Sequence, residues 1–152
     1  MKTTAVVSLV LLTNLFCTTS QAAARDPIKP DPVKTDPIKI VQAKFDAFNR
    51  HDVSVIESLF AADATLQSPD YPHLVGNSKI SLTYRQLFDA IPDAKDTVVL
   101  LDRVLNRVYA QFVLSGHLKG AENKVVTVRI LSVYTIENQR IVSDTTYYDR
   151  KM

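Results

Sequence analysis

The 152-residue sequence predicts an α+β fold in which helices come first and a mainly antiparallel sheet comes last. In residues 36–91, apolar side chains recur at three- and four-residue steps, which is the period of a helix; a short strand that ends near Pro69 interrupts this pattern. After Pro92, runs rich in Val, Ile, Tyr and Thr are separated by short polar turns, which is typical of consecutive antiparallel strands. The predicted order is two helices, a strand, a third helix and then long strands, so we expect the three helices to cover one face of a curved sheet.

The boundaries of the three helices are predicted from the residues that begin and end them. Asp36 can accept a hydrogen bond from a helix N-terminus, and Pro37 fits the first helical turn. This first helix runs to about Asn49, and Asp52 can cap a second, short helix in the same way. The third helix ends before Pro92, because proline cannot continue the helical hydrogen bonds. The folded domain therefore begins near residue 36.

The N-terminus has the pattern of a secretory signal peptide. Lys2 precedes a mostly apolar run over residues 5–16, and small residues up to Ala24 supply a cleavage site. This run is shorter than the roughly 20 residues that a permanent membrane span needs. We expect residues 1–24 to be removed during export to the periplasm or the medium; an uncleaved anchor is the alternative. Cys17 leaves with this segment, so the mature chain has no cysteine for disulfides or thiol catalysis.

A short repeat separates the predicted signal peptide from the predicted domain. Residues 25–36 carry an Asp-Pro-x-Lys repeat, in which proline favours extended backbone, so we interpret this segment as a semi-rigid linker. A docking peptide for a partner is the alternative interpretation. The predicted domain spans residues 37–152. A mature chain of about 128 residues (152 minus 24) has the usual size of one domain with one core.

The composition argues against several classes of function. A net charge of +2, the absence of Trp and the absence of a basic run argue against nucleic-acid binding. After signal cleavage no second apolar stretch is long enough to span a membrane. The three histidines lack metal-site spacing and the three glycines form no phosphate-binding loop, so no metal and no cofactor is predicted. The expected partner is a small molecule or a protein.

Several short motifs occur in a characteristic order over residues 38–149. They are AFNRHDVSVIESLFAADATLQSP, IPDAKDTV, GHLKG, YTIENQRIVSD and YYD. In this order they resemble the SnoaL-like branch of the nuclear-transport-factor-2-like superfamily. The resemblance implies a cone-shaped α+β barrel with a curved sheet, a deep, mainly apolar pocket, and homodimers formed through the sheet. Its members include polyketide cyclases, isomerases, dehydratases and epoxide hydrolases, together with domains that have no demonstrated catalysis.

The resemblance therefore implies two alternative functions for this chain. The first is a non-catalytic domain that binds a small, hydrophobic molecule in its pocket. The second is an isomerase, cyclase or lyase that moves protons with a carboxyl group. Whether the chain is an enzyme stays open at this point, because the same scaffold supports many activities.

Two positions relate directly to the cyclases of this family. His117, in GHLKG, matches the histidine with which the cyclases bind or polarise their substrate, although a lone histidine near a strand end can also be structural. The acid/base aspartate of the cyclases falls at about Ser132 in this chain. A serine without a base beside it cannot shuttle protons at neutral pH, so this departure argues against ring closure.

Asp149 is the remaining catalytic candidate, at the end of the last predicted strand. If it faces the interior, burial raises its pKa toward neutrality, as a general acid/base requires. If Arg107 or Arg129 pairs with it, it stays ionised and serves the fold. Both alternatives stay open. Asp144, by contrast, is interpreted as a surface, turn or cap residue.

Four residues are predicted to bind the ligand because strand alternation places them on polar faces or beside the expected pocket. The strand around Tyr109 has one apolar face and one polar face; the polar face, which includes Tyr109 and His117, suits either a pocket wall or a dimer face. Ser132 and Tyr134 share a face of the next strand, and one of the two terminal tyrosines is expected to face the pocket. The predicted ligand-binding residues are Tyr109, Ser132, Tyr134 and Tyr147.

Overall fold

The computed structural model describes residues 35–148, except for the side chains of Glu122 and Asn123. The predicted signal peptide, most of the linker and Asp149 lie outside the described residues. The elements, in chain order, are α1 (Pro37–Asn49), α2 (Val53–Leu59), β1 (Phe60–Gln67), β2 (Leu74–Val75), α3 (Asn77–Ala90), β3 (Lys95–Val104), β4 (Arg107–Leu118), β5 (Ala121–Glu137) and β6 (Arg140–Tyr147). This order confirms the predicted α+β class.

The first two helices begin at the predicted capping residues. The Asp36 carboxylate accepts a hydrogen bond of 3.0 Å from the backbone N–H of Ile38. The Asp52 carboxylate accepts one of 3.1 Å from the backbone N–H of Val55. Each cap satisfies a backbone donor that has no partner within the helix. In residues 35–148, none of the helices combines the length and apolar character that a membrane crossing requires.

The six strands form one sheet in the order β2-β1-β6-β5-β4-β3. Strands β3 to β6 form the predicted antiparallel meander, whereas β1 runs parallel to β6. The sheet is open and curled, because the two-residue strand β2 lies at one edge and β3 lies at the other. The predicted cone-shaped barrel is therefore not confirmed, while the mainly antiparallel, helix-covered sheet is.

Side-chain alternation gives the sheet an inner face toward the helices and an outer face. In β4, Val108, Ala110, Phe112 and Leu114 are buried, and the residues between them are exposed or half-buried. Phe45 of α1 packs edge-on against Phe112, with their ring centroids 4.9 Å apart. The polar face of β4 is therefore the outer face of the sheet, and the apolar face lies over the core.

The turn between β5 and β6 contains two residues with positive φ. Asn138 and Gln139 have φ values of 47° and 62°, the left-handed conformation that tight hairpin turns require. This turn brings β6 back along β5, so that Ser132 lies opposite Thr146 and Tyr134 lies opposite Asp144. The register places all four side chains on the inner face, where the cavity described next lies.

Candidate functional site

A cavity of about 400 Å³ lies between helices α1 and α3 and the inner face of the sheet. Its wall is mainly apolar because the inner faces of the strands and the apolar stripes of both helices meet there. The aliphatic and phenylalanine side chains of this wall are Phe48, Leu66, Leu87, Phe112, Leu114, Val128 and Ile130.

Among the described residues of the cavity wall, the two exposed ones, Asp70 and Gln86, are polar. The Tyr71 hydroxyl donates a hydrogen bond of 3.5 Å to Oε1 of Gln86 on α3. The Tyr148 hydroxyl donates to a carboxylate oxygen of Asp70. These two contacts join the loop after β1 to α3 and to the end of β6. They therefore hold together the solvent-facing side of the cavity.

Three charged residues, Lys44, Asp96 and Asp144, lie in the cavity wall although each is no more than 4% exposed. We call them the charged cluster. Nζ of Lys44 is 3.7 Å from Oδ2 of Asp96, which makes a buried ion pair. Fully buried charges are uncommon in protein cores, since removing them from water is costly unless they are paired. A cluster of this kind beside a cavity is therefore the strongest candidate for a functional site in the described residues.

Local structure explains how Lys44 and Asp96 come together. Lys44 lies on the buried stripe of α1, four residues after Ile40 and four before Phe48. Asn49, the last residue of α1, binds the backbone of Asp96 twice: its Oδ1 accepts from the Asp96 N–H at 2.8 Å, and its Nδ2 donates to the Asp96 carbonyl at 2.9 Å. The end of α1 thus holds the start of β3 beside Lys44.

Both carboxyl groups of the charged cluster titrate near neutrality. Burial raises the pKa of Asp96 to about 6, against the opposing effect of the Lys44 ammonium. Burial likewise raises the pKa of Asp144 to about 6, and Lys44 and a hydrogen bond from Thr146 oppose that rise. A carboxyl with such a pKa can both hold and release a proton under mild conditions.

A chain of hydroxyl groups connects Ser132 to the Asp144 carboxylate. The Thr146 hydroxyl donates a hydrogen bond of 2.8 Å to Oδ1 of Asp144. The Ser132 and Thr146 hydroxyl oxygens are 2.6 Å apart. Thr146 has one hydroxyl proton and donates it to Asp144. Ser132 is therefore the donor in the Ser132–Thr146 hydrogen bond. The serine at the expected position of the cyclase aspartate is therefore linked, through Thr146, to a carboxylate on the neighbouring strand.

Aromatic rings surround the Lys44 ammonium. The distances from Nζ to the ring centroids range from 4.4 to 5.9 Å, within the reach of cation–π attraction. Burial and the negative charges of Asp144 and Asp96 raise the pKa of Tyr84 well above its usual value, and burial and Asp144 do the same for Tyr134. Both hydroxyls therefore stay protonated and can donate hydrogen bonds. The five rings are those of Phe45, Phe48, Tyr84, Phe112 and Tyr134.

The structure brings together two of the four predicted ligand-binding residues. Ser132 and Tyr134 line the cavity and are each 1% exposed. Tyr109 and Tyr147 lie on the outer face of the sheet, away from the cavity wall, and Tyr147 is 57% exposed. The outer position follows from alternation, because Tyr109 adjoins the inward-facing Val108 and Ala110. The ligand-binding roles of these four residues stay predictions.

His117 lies at the protein surface, outside the cavity wall. Its Nδ1 is 2.6 Å from one Asp93 carboxylate oxygen, and its backbone N–H donates a bond of 2.7 Å to the other. These hydrogen bonds to His117 lower the pKa of Asp93. The pair ties the end of β4 to the loop that follows α3, so its visible contacts are structural. A catalytic role for His117, like that of Asp149, stays a prediction.

Sequence reasoning missed all three members of the charged cluster. The interpretation of Asp144 as a surface, turn or cap residue is wrong, because only 2% of it is exposed. Two signals could have found the cluster. Lys44 interrupts the apolar stripe of the first helix, and Asp144 shares a strand face with Thr146 and Tyr148, both of which line the cavity. Among the described residues, no group of three or more metal-binding side chains is placed to hold an ion.

Solved structures identify the class of fold. A protein with a ketosteroid isomerase-like fold from Catenulispora acidiphila DSM 44928, in complex with trimethylamine, is 26% identical with a TM-score of 0.68, over 73% of this chain and 85% of that chain. A proposed SnoaL-like polyketide cyclase from Jannaschia Sp. CCS1 is 16% identical with a TM-score of 0.69, over 82% and 91%. An LEH-like epoxide hydrolase from M. tuberculosis is 14% identical with a TM-score of 0.66, over 78% and 86%. The fold is therefore that of nuclear transport factor 2-like proteins.

The family follows from the sequence comparison. The sequence model of the SnoaL-like domain family matches residues 41–144, which is more than half of the chain. The chain therefore belongs to the SnoaL-like domain family, and the predicted resemblance is confirmed. The comparison with curated proteins gave no match.

Proposed function

We propose that this domain binds a small, largely apolar molecule in the cavity between α1, α3 and the sheet. The combination of size and lining carries this proposal: the cavity has a volume of about 400 Å³, apolar walls and a few buried polar groups. Ligand sites in proteins typically have volumes of about 300–1,000 Å³ and this kind of lining. The solved relative from Catenulispora acidiphila supports it, since that protein is in complex with a small molecule, trimethylamine.

Uptake of a neutral fluorescent probe, N-phenyl-1-naphthylamine, tests the proposal. We expect saturable enhancement of fluorescence with one probe per chain, because the apolar wall removes the dye from water. Val128→Trp is the matched control: Val128 is a half-buried wall residue, and a larger side chain there reduces the space for the dye. Enhancement that is absent in the unmodified protein, or equal in Val128→Trp, would count against cavity binding.

We propose proton-transfer catalysis, as in an isomerase, cyclase or lyase, as the second candidate function. The Asp144 carboxyl supports this second candidate function. This carboxyl lies in the cavity wall, has a pKa of about 6 and accepts a hydrogen bond from Thr146. In this proposal Asp144 acts as the general acid/base, the role that the sequence analysis assigned to Asp149. Tyr84 and Tyr134 donate hydrogen bonds to a carbonyl oxygen of the substrate.

Exchange of the α-protons of cyclohexanone for deuterium, followed by NMR, tests this second candidate. We expect the unmodified protein to accelerate exchange above the buffer rate and Asp144→Asn to remove the acceleration. Asp149→Asn distinguishes the two carboxylates, because loss of exchange in that variant alone would return the role to Asp149. No acceleration by the unmodified protein would count against α-proton abstraction but not against binding.

We propose further that the protein is exported and that residues 1–24 are removed. Lys2, the apolar run and the small residues before position 25 support this proposal. N-terminal sequencing of protein from the periplasm and the medium tests it. A chain that begins at residue 25 is expected, and one that begins at Met1 in the cell pellet would contradict export.

A further inference from the structure

The charged cluster carries more negative than positive charge. Asp96 and Asp144 supply two carboxylates when ionised, and Lys44 supplies one ammonium. No other residue of the described cavity wall is both charged and buried. The buried part of the cavity therefore holds one excess negative charge above the pKa values of its carboxyls.

One oxygen of Asp96 has no hydrogen-bond donor. Asp96 is 4% exposed and lies in the cavity wall; its Oδ2 faces Lys44, but no described residue donates to its buried Oδ1. A buried carboxylate oxygen without a donor is costly, since its water has been lost and not replaced. Such an atom beside a cavity is a position where a ligand can supply the missing hydrogen bond.

We propose, building on the proposed binding function, that the ligand is a protonated amine with an apolar body, whose N–H groups donate to the carboxylates of Asp96 and Asp144. One positive charge neutralises the excess charge of the cluster, and an ammonium donor fills the open acceptor on Asp96. The apolar body lies against the aliphatic and aromatic wall. A carboxylate or phosphate ligand is disfavoured, because it adds to the negative charge that Lys44 already fails to balance.

Amine binding should depend on pH through these carboxyls. The charged and titratable groups that interact with Asp96 are Lys44 on α1, Tyr84 on α3 and Tyr134 on β5, and Asp144 on β6 lies in the same cavity wall. The pKa values of Asp96 and Asp144 are about 6, so both carboxyls gain protons as the pH falls below that value. An amine remains protonated there and loses its anionic partners, so its binding weakens toward acid.

Three probes of equal size test the proposal: benzylamine, benzyl alcohol and ethylbenzene, each measured by displacement of N-phenyl-1-naphthylamine. We expect benzylamine to bind roughly 10- to 100-fold more tightly than ethylbenzene at about pH 8, which is the effect of one charge-assisted hydrogen bond, with benzyl alcohol between them. At about pH 5 the preference for benzylamine should largely disappear.

Variants separate the amine site from general charge effects. Asp96→Asn should reduce the preference for benzylamine, and Asp144→Asn is the second variant in case Asp96→Asn does not fold. Asp89→Asn removes the same charge from an exposed position of α3 and should keep the preference.

The outcomes distinguish this inference from the function on which it rests. Equal binding of ethylbenzene and benzylamine would overturn the amine proposal and leave cavity binding intact. Phenylacetate, measured in the same way as an additional, anionic probe, should bind more weakly than benzylamine; tighter binding would overturn the proposal as well. If neither the dye nor any probe binds, the proposed binding function itself fails.

Discussion

Replacing Asp144 with asparagine should change how the stability of the domain depends on pH. Asp144 is 2% exposed, and its ionised form is disfavoured by burial even though Lys44 lies nearby. Asparagine has the same shape as the neutral acid, and its oxygen can still accept the hydrogen bond from Thr146. We therefore expect Asp144→Asn to behave like a permanently protonated Asp144.

The pKa of Asp144 gives the size of the effect. Burial raises it from 3.8 to about 6. One pKa unit corresponds to about 1.4 kcal/mol, so ionising Asp144 costs the folded state about 3 kcal/mol at most. Because the folded pKa lies above the unfolded value, the neutral form stabilises the fold fully below about pH 4. That stabilisation is lost as the pH rises through about 6.

Urea denaturation followed by circular dichroism, between about pH 4 and pH 8, measures this difference. We expect Asp144→Asn and the unmodified domain to be equally stable near pH 4. Near pH 8 the variant should be about 1–3 kcal/mol more stable. Ionising the buried Asp96 costs a similar free energy in both proteins, so its contribution cancels from the stability difference between them.

The exposed Asp89→Asn variant is the control and should keep the profile of the unmodified domain. A difference between Asp144→Asn and the unmodified domain that does not vary with pH would refute the reasoning. So would a variant that is less stable near pH 8, because the buried charge would then be stabilising.

Three further predictions concern the turns, the close packing and the outer face. Leu105 is 82% exposed and has a φ of 56°. Leu105→Gly should therefore relieve backbone strain and raise the free energy of unfolding, measured by urea titration, by about 0.5–1 kcal/mol. Leu105→Ala, which keeps a Cβ, should give no gain in the same titration. A Cβ on Gly116 would lie 2.4 Å from Cγ2 of Ile91, so Gly116→Ala should destabilise by about 1–3 kcal/mol; an unchanged melting temperature would contradict this close approach. We propose that the outer face of the sheet packs against a second copy of the chain. Val99 and Leu131 on this face are 66% and 37% exposed. Val99→Asp should then convert dimers to monomers in analytical ultracentrifugation, and an unmodified protein that is already monomeric at micromolar concentration would exclude the dimer.

Local sequence was sufficient to predict the helices and the longer strands, but not the two-residue strand β2. The caps at Asp36 and Asp52 and the turn at Asn138–Gln139 depend on contacts within a few residues, so their signals lie in short stretches of sequence. The closure of the sheet was not predictable in this way. It depends on whether the two edge strands can pair, and β2 has only two residues with which to do so.

Local sequence was also insufficient to predict which residues form the candidate site. Alternation divided the last strand into two faces, one with Asp144 and the other with Tyr147, but either face could be the inner one. Pairing with β5 decided the matter, since Asp144 lies opposite the buried Tyr134 and Tyr147 is exposed. A shift of one residue in that pairing would have exchanged the two faces.

By itself, the sequence determined the fold class, the order of the helices and longer strands, and the family, because hydrophobic period, caps and ordered motifs are properties of neighbouring residues. The tertiary structure alone decided which charges meet in the cavity. Lys44 and Asp96 are far apart in the chain, and they come within 3.7 Å of each other only because α1 packs against the start of β3. Their significance arises from burial, and burial depends on every element that covers them.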